Sequence, residues 1–347
     1  MNRRSFVSLA LIMAAAAALT FFKVPIASSQ GLTLNAARLT GDLPVADPAS
    51  PLWQEATAIE VPLSAQNAAK PMLTTPSVKS VVARAVYNET QIAIAVEWTD
   101  PTQDDQMVRV QDFRDAVAVQ FPLAAGQPFF CMGQQGGNVN IWHWKADWQA
   151  DLAGRRDMDA LYPDMYVDQY PFTSACDPTV AGLADYADPN YAPAMAAGNL
   201  FAATTRTSPV EDLIAGGFGS LTAQPAEGQN VQGYGVWADG KWRVIFSRSL
   251  ASPEADDIAF APGQVYSMAF AAWDGANGER NGQKSTSQWV SLQLAAPAAA
   301  SAGAPPSAET VPNAFEGVPY LIVPMVLVAV LVGGLALAAF ALSRWKG

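Results

Sequence analysis

From Lys79 onward, apolar and polar residues alternate with a period of two, the spacing of a strand with one buried face. "KSVVARAVY" (79–87) and "QIAIAVEW" (91–98) predict two strands, and Asn88, Glu89 and Thr90 between them predict the turn of a hairpin. "DAVAVQFPL" (Asp115–Leu123) predicts a further strand. "VQGYGVW" and "KWRVIFSRSL" flank Ala238, Asp239 and Gly240, and Asp-Gly readily takes the positive φ angles of a tight hairpin turn. "VYSMAFAAW" (Val265–Trp273) and "STSQWVSLQL" (Ser285–Leu294) complete the set. Strands at this spacing predict an all-β fold, a two-sheet antiparallel sandwich over residues 31–294. Asp151 to Gln229 is rich in Pro, Asp, Gly and Tyr and has no clean period. It reads as long ordered loops with short helices, and loops of that length usually carry function.

The two ends follow another pattern. Arg3 and Arg4 precede an uncharged run from Ser5 to Phe22, and Ala27 and Ser29 stand where a signal peptidase would cut before Gln30. Residues 1–29 therefore read as an export signal, cleaved or retained as a membrane helix. "RRSFV" also resembles a twin-arginine pattern, and both export routes stay open. From Pro319 to Leu342 there is no charge, which is long enough to span a bilayer. Tyr320 and Trp345 flank this stretch, Glu316 precedes it, and Arg344 and Lys346 follow it. That asymmetry predicts a single C-terminal transmembrane helix (319–342) with a cytoplasmic tail (343–347) and the body on the periplasmic, extracytoplasmic side of the cytoplasmic membrane. The Ala-, Pro- and Ser-rich stretch 295–314 reads as a semi-extended linker.

Composition narrows the chemistry. Of 347 residues, 31 are acidic and 20 basic, for a net charge of −11. With no basic run, nucleic acid is excluded as a partner. There is one histidine, His143, and there are two cysteines, Cys131 and Cys176. That set lacks the close ligand pairs of a zinc site. No "GxSxG" elbow accompanies His143, and no "CxxCH" exists for covalent haem. In an exported body the two cysteines read either as a disulfide or as two separate buried thiols. One stretch stands out, "PFFCMGQQGGNVNIWHWKADW" (Pro128–Trp148), which gathers Cys131, Met132, His143, Lys145 and three tryptophans. Taken alone, each has a packing explanation: tryptophans fill cores, and methionine fills gaps.

The segments "DPASPLWQEATAIEVPLSAQ", "FRDAVAVQFPL", "FFCMGQQGGNVNIWHWKADWQADL", "AGNLFA", "SPVEDLIAGGFGSLT", "GYGVWADGKWRVIFSRSL" and "FAAWDGANGERNGQKSTSQW" follow one another in that order. Together, from about Asp47 to Leu294, they resemble the haem-binding γ-subunit family of respiratory molybdenum enzymes, which act on ethylbenzene, dimethylsulfide, selenate, chlorate and nitrate or nitrite. The resemblance implies one non-covalent b-type haem, placed between the two sheets of the sandwich. It implies methionine and lysine as axial ligands, matched here by Met132 in "FCMGQQ" and Lys284 in "WDGANGERNGQK". Met268 and Lys145 are the nearest rivals. His143 is then expected beside the haem, bonded to a propionate or a carbonyl. Arg84, Arg248 and Arg280 are candidates for the propionates, since a guanidinium matches a carboxylate in a fork; surface or loop salt bridging competes for each. A lysine ligates iron only as the neutral amine, which burial favours. The Gly- and Asn-rich "NGERNGQ" suits the backbone turns that would bring Lys284 inward.

The implied role is that of a non-catalytic electron-transfer subunit, a cytochrome b. Its implied partners are a molybdopterin catalytic subunit, an iron–sulfur subunit, and a quinone or cytochrome c. The rival reading comes from sandwiches of the carbohydrate-binding-module and DOMON type: a membrane-anchored sugar-binding module without haem, with Trp142, Trp144 and Trp148 as an exposed stacking platform.

Overall fold

The computed structural model describes residues 31–68, 70–124, 132–164, 194, 197–203 and 205–296. The export segment, nearly all of the linker, the C-terminal apolar stretch, the tail, Cys131 and Cys176 lie outside the described residues. Among the described residues no helix is long and apolar enough to cross a membrane.

Fourteen strands follow in chain order: β1 (Thr33–Arg38), β2 (Ile59–Pro62), β3 (Ser64–Ala65), β4 (Ser80–Tyr87), β5 (Gln91–Thr99), β6 (Ala116–Pro122), β7 (Val139–Lys145), β8 (Val210–Ala215), β9 (Thr222–Ala223), β10 (Gln232–Ala238), β11 (Lys241–Ser249), β12 (Val265–Trp273), β13 (Ser285–Thr286) and β14 (Val290–Leu294). Two short helices, α1 (Ala146–Asp151) and α2 (Met158–Leu161), follow β7. One layer runs β10-β11-β5-β4, with β2 on β4; the other runs β14-β12-β6-β7-β8-β9, with β13 joining β12 to β3.

The layers close on each other because each strand presents a run of alternate apolar residues. Val81, Ala83, Ala85 and Tyr87 of β4, Ile92, Ile94, Val96 and Trp98 of β5, and Trp242, Val244 and Phe246 of β11 meet Val117, Val119 and Phe121 of β6, Trp142 and Trp144 of β7, and Met268 and Phe270 of β12 in one core. The contact is aromatic where it is thickest: Trp144 lies 4.9 Å from Trp242 and 6.3 Å from Trp98, both edge-on. The β10–β11 turn is the expected one, with Asp239 at φ 53° and Gly240 at φ 70°.

Three details depart from the sequence reading. The sandwich is not purely antiparallel. β1 pairs in parallel with β14 through Thr33–Ala36 and in parallel with β4 through Ala37 and Arg38, so one strand stitches the two layers together. The stretch 285–294 is two strands, β13 and β14, which pair at different places along β12. The region read as loops contains β8, which pairs with β7 inside the second layer. The sequence "VEDLIA" hides it, because Glu211 and Asp212 break the alternation of a strand buried on both faces.

Candidate functional site

The second layer has an outer face, and it too is apolar. Ala116, Ala118, Val139, Ile141, Leu213, Ala215 and Trp273 form a separate cluster there, with Met132 packed against it. Its centre is shallow because its residues are small. In β6 the sequence "AVAV" sends valines into the sandwich and alanines out. Register sets Ala118 between Ala271 of β12 and His143 of β7, and Ala116 between Trp273 and Lys145. Over this alanine floor lies a cavity of about 660 Å³, whose lining also includes Met107, Phe113, Phe201, Phe218 and Leu221. The resemblance placed the haem between the two sheets. The cavity instead lies outside them, because Trp98, Trp142, Trp144 and Trp242 leave no room between the layers.

Met132 and Lys284 meet in this cavity. Lys284 Nζ is 3.6 Å from Met132 Sδ, across 152 residues of chain. Each is fixed by its own backbone. Gly217 N–H donates to the Met132 carbonyl, and the next residue, Gly133, turns the chain at φ 75°. A Cβ at Gly133 would lie 2.7 Å from the Ala215 carbonyl oxygen, so the turn beside Met132 requires glycine. Lys284 ends a loop that folds back through Gly278 (φ 67°) and Asn281 (φ 53°), as the "NGERNGQ" composition suggested. Gln283 N–H donates to the Arg280 carbonyl, and Gln66 N–H donates to the Lys284 carbonyl, which ties the loop to the chain leaving β3. Lys284 is 8 % exposed, and its Nζ stands 4.9 Å from the centre of the Trp273 ring.

His143 shares that tryptophan. Its imidazole stacks on Trp273 at 4.6 Å, and its Nε2 is buried without a hydrogen-bond partner. Burial, then the positive charges of Lys145, Arg114 and Lys284, hold it well below the ordinary histidine value, so it is neutral at pH 7. Lys145 lines the other end of the cavity. It is ion-paired to Glu211, with its Nζ 3.7 Å from the centre of Trp148 and 4.5 Å from that of Phe201. Burial pulls Lys145 down to about 7 against the opposing pull of Glu211. As a rival ligand it is already engaged. The other rival, Met268, is fully buried on the opposite face of β12, inside the sandwich.

The three arginines separate. Arg280 lines the cavity, donates to the Gly278 carbonyl at 2.8 Å and lies over Phe113 at 4.8 Å. Arg84 does not reach the cavity, because it alternates with core-facing Ala83 and Ala85 and so points off the far face of the first layer. Arg248 sits at one end of the inter-sheet core, ion-paired to Asp257 at 3.4 Å and 5.0 Å from the Trp142 ring. Arg114, which the sequence reading did not select, lines the cavity and pairs with Asp147 at 2.7 Å. Its position two residues before the first alanine of β6 was the available signal. The sugar platform fails on burial: Trp142 and Trp144 are fully buried and Trp148 nearly so.

Comparison with known proteins places this arrangement in a family. Residues 50–285 match the family model described as ethylbenzene dehydrogenase. The ORF7 protein of Haloferax mediterranei, provisionally named a respiratory nitrate reductase heme subunit, is 25% identical over 79% of this chain and 81% of its own length. The chlorate reductase subunit gamma of Ideonella dechloratans is 26% identical over 77% of this chain and 90% of its own. The dimethylsulfide dehydrogenase subunit gamma of Rhodovulum sulfidophilum is 25% identical over 65% and 64%. Among solved structures, a protein of Bacteroides uniformis provisionally named as carbohydrate-binding aligns over 76% of this chain and 99% of its own with a TM-score of 0.39 and 8% identity. With its family model matched from the first 3-10 turn, Pro51–Glu55, to β13, the chain belongs to the ethylbenzene dehydrogenase family.

Proposed function

We propose that this chain is the non-catalytic electron-transfer subunit of a molybdenum oxidoreductase, and that its outer cavity holds one b-type haem, without covalent attachment, between Met132 and Lys284. The observation that carries the reading is the 3.6 Å approach of Lys284 Nζ to Met132 Sδ inside an apolar cavity. Met132 Sδ and Lys284 Nζ would hold the iron, and the pair would have to part from its 3.6 Å contact to admit it. The rest of the cavity fits the same group. Its volume is within the range of cofactor pockets, roughly 300–1,000 Å³. Arg280 and Arg114 bring guanidinium groups to its lining for acid groups. The buried Nε2 of His143 is a polar atom in want of a partner.

Bound there, haem would supply one-electron oxidation and reduction, with Met132 and Lys284 as the side chains that would hold it, which suits electron transfer rather than catalysis. Lys284 would bind only as the neutral amine, after losing its proton. Met132 offers a soft thioether, which favours the reduced metal. The alanine floor makes that side of the cavity apolar. The family relatives, named as heme or gamma subunits of nitrate, chlorate and dimethylsulfide enzymes, support partners of matching kind: a molybdopterin catalytic subunit and an iron–sulfur subunit, with a quinone or cytochrome c as the further electron partner. The export pattern of residues 1–29 and the apolar stretch 319–342 support a body outside the cytoplasmic membrane, tethered by its C-terminus.

The test is spectroscopic. The full chain is loaded with haem, and wild type, Met132→Ala, Lys284→Ala and Lys284→Arg are compared. Wild type is expected to be low-spin and six-coordinate. Met132→Ala is expected to turn high-spin with a lower potential, and Lys284→Ala to lose its nitrogen ligand. Lys284→Arg is expected not to rescue, since a guanidinium keeps its proton. If Met132→Ala and Lys284→Arg both kept the wild-type spectrum and potential, the ligand assignment would be wrong.

A further inference from the structure

We propose that Asp100, Asp115 and Asp274 form a second site, for a divalent, oxygen-preferring cation of the calcium class, distinct from the haem cavity and not dependent on it. The three residues come from different places: Asp100 follows β5, Asp115 precedes β6 and Asp274 follows β12. One carboxylate oxygen from each lies within 4.8 Å of the other two. Calcium–oxygen bonds of 2.3–2.6 Å let opposed ligands of one ion stand roughly 5 Å apart, so a single ion reaches all three. Donors that are all oxygen, with neither nitrogen nor sulfur, favour a hard cation over zinc or copper.

The burial of this cluster separates it from an ordinary acidic surface. Asp115 is fully buried and Asp100 is 2 % exposed. The Asp115 carboxylate accepts from Asp104 N–H at 2.8 Å, Gly275 N–H at 2.9 Å and Trp242 Nε1 at 2.9 Å. Such partners suit an ionised group. Independently, Asp100 Oδ2 is buried with no hydrogen-bond partner, and so is Asp104 Oδ2. The indole N–H of Trp98 lies near Asp100 without closing a hydrogen bond. After burial, the charge that bears most on Asp115 is that of Asp100, and the charge that bears most on Asp100 is that of Asp274. Together these push Asp115 up to about 8. Carboxylates crowded at this depth repel one another unless a cation or shared protons intervene.

The ion's place in the fold gives it a task. A Cβ on Gly275, next to Asp274, would lie 2.3 Å from the Phe113 carbonyl oxygen, so the two loops touch backbone to backbone here. Asp274 begins the loop that ends in Lys284, and its Oδ1 accepts from Asn277 N–H. An ion bound here ties the root of that loop to β5 and β6.

The experiment uses the full chain, stripped with EGTA and titrated with terbium ion under tryptophan excitation. Trp242 touches Asp115, so a lanthanide in this site is sensitised. We expect saturable terbium emission that calcium displaces, and a thermal midpoint that calcium raises by several degrees. Asp115→Asn is expected to abolish both. Asp274→Asn, at the better exposed edge, does the same with less risk to folding. Absent emission, emission unchanged in Asp274→Asn, or a midpoint that responds to acid but not to calcium would overturn the proposal, the last by assigning a proton where we place the ion.

Discussion

At the scale of single residues, the chemistry lies in side chains whose ordinary behaviour is reversed by burial. His143 is the residue a search for metal ligands would choose first, yet its place is on the face of Trp273, beside the Met132–Lys284 pair. We therefore expect His143→Ala to keep haem and a low-spin spectrum, with a shifted potential; loss of haem from a folded variant would make His143 the ligand. Asp212 offers a separate test. It is fully buried, and burial and then the charge of Asp257 raise it to about 8, outweighing the Asn140 hydrogen bond and Arg248. A carboxyl raised in the folded state binds its proton where the unfolded chain, near 3.8, does not. Its contribution is therefore full below pH 3.8 and is lost as pH rises towards 8. The slope is at most about 1.4 kcal/mol per pH unit for one group. Thermal melts of Asp212→Asn between pH 5 and 8 should show a flatter pH dependence than wild type. An unchanged slope would mean that Asp212 is ionised throughout.

At the scale of elements, the cavity exists because of alternation in β6. The valines fill the sandwich and the alanines leave depth outside it. Ala118→Leu should therefore fill the floor and abolish haem uptake, measured by Soret titration, while the thermal midpoint of the haem-free chain holds or rises, since the new side chain enters space rather than packed atoms. Gly133→Ala should act differently. It forces a side chain at φ 75° against the Ala215 carbonyl and should cost about 1–2 kcal/mol in stability, read from denaturant melts. The strands β4, β5, β6, β10, β11 and β12 were legible because residue size or polarity alternates along each with a period of two. β8 was not legible, because Glu211 faces the cavity and Asp212 the interior, and each is buried among polar partners that no local pattern reveals. The meeting of Met132 and Lys284 was legible only through resemblance: nothing in the local sequence ties one to the other. Arg84 and Arg248 carry a charge that suits a carboxylate, but their positions on β4 and β11 keep them off the cavity lining.

At the scale of the whole molecule, orientation is the first matter to measure. If residues 343–347 are cytoplasmic, protease added outside spheroplasts should cut within 295–314 and release the body, as an immunoblot would record; a body protected until lysis would reverse the topology. The seam strand β1 has a bearing on how the molecule comes into being. Its first four residues take β14 as partner, and its last two take β4. The earliest strand to be made thus waits for the last. Until residue 294 has left the ribosome, and the translocation channel if the chain travels through one unfolded, β1 can pair with β4 alone, leaving the second layer without its edge. Long-range pairings of this kind close late and slowly. During that interval the unfinished sandwich exposes apolar strands, so a holding chaperone should be most needed by chains truncated between β12 and β14, and much less by those that reach Leu294.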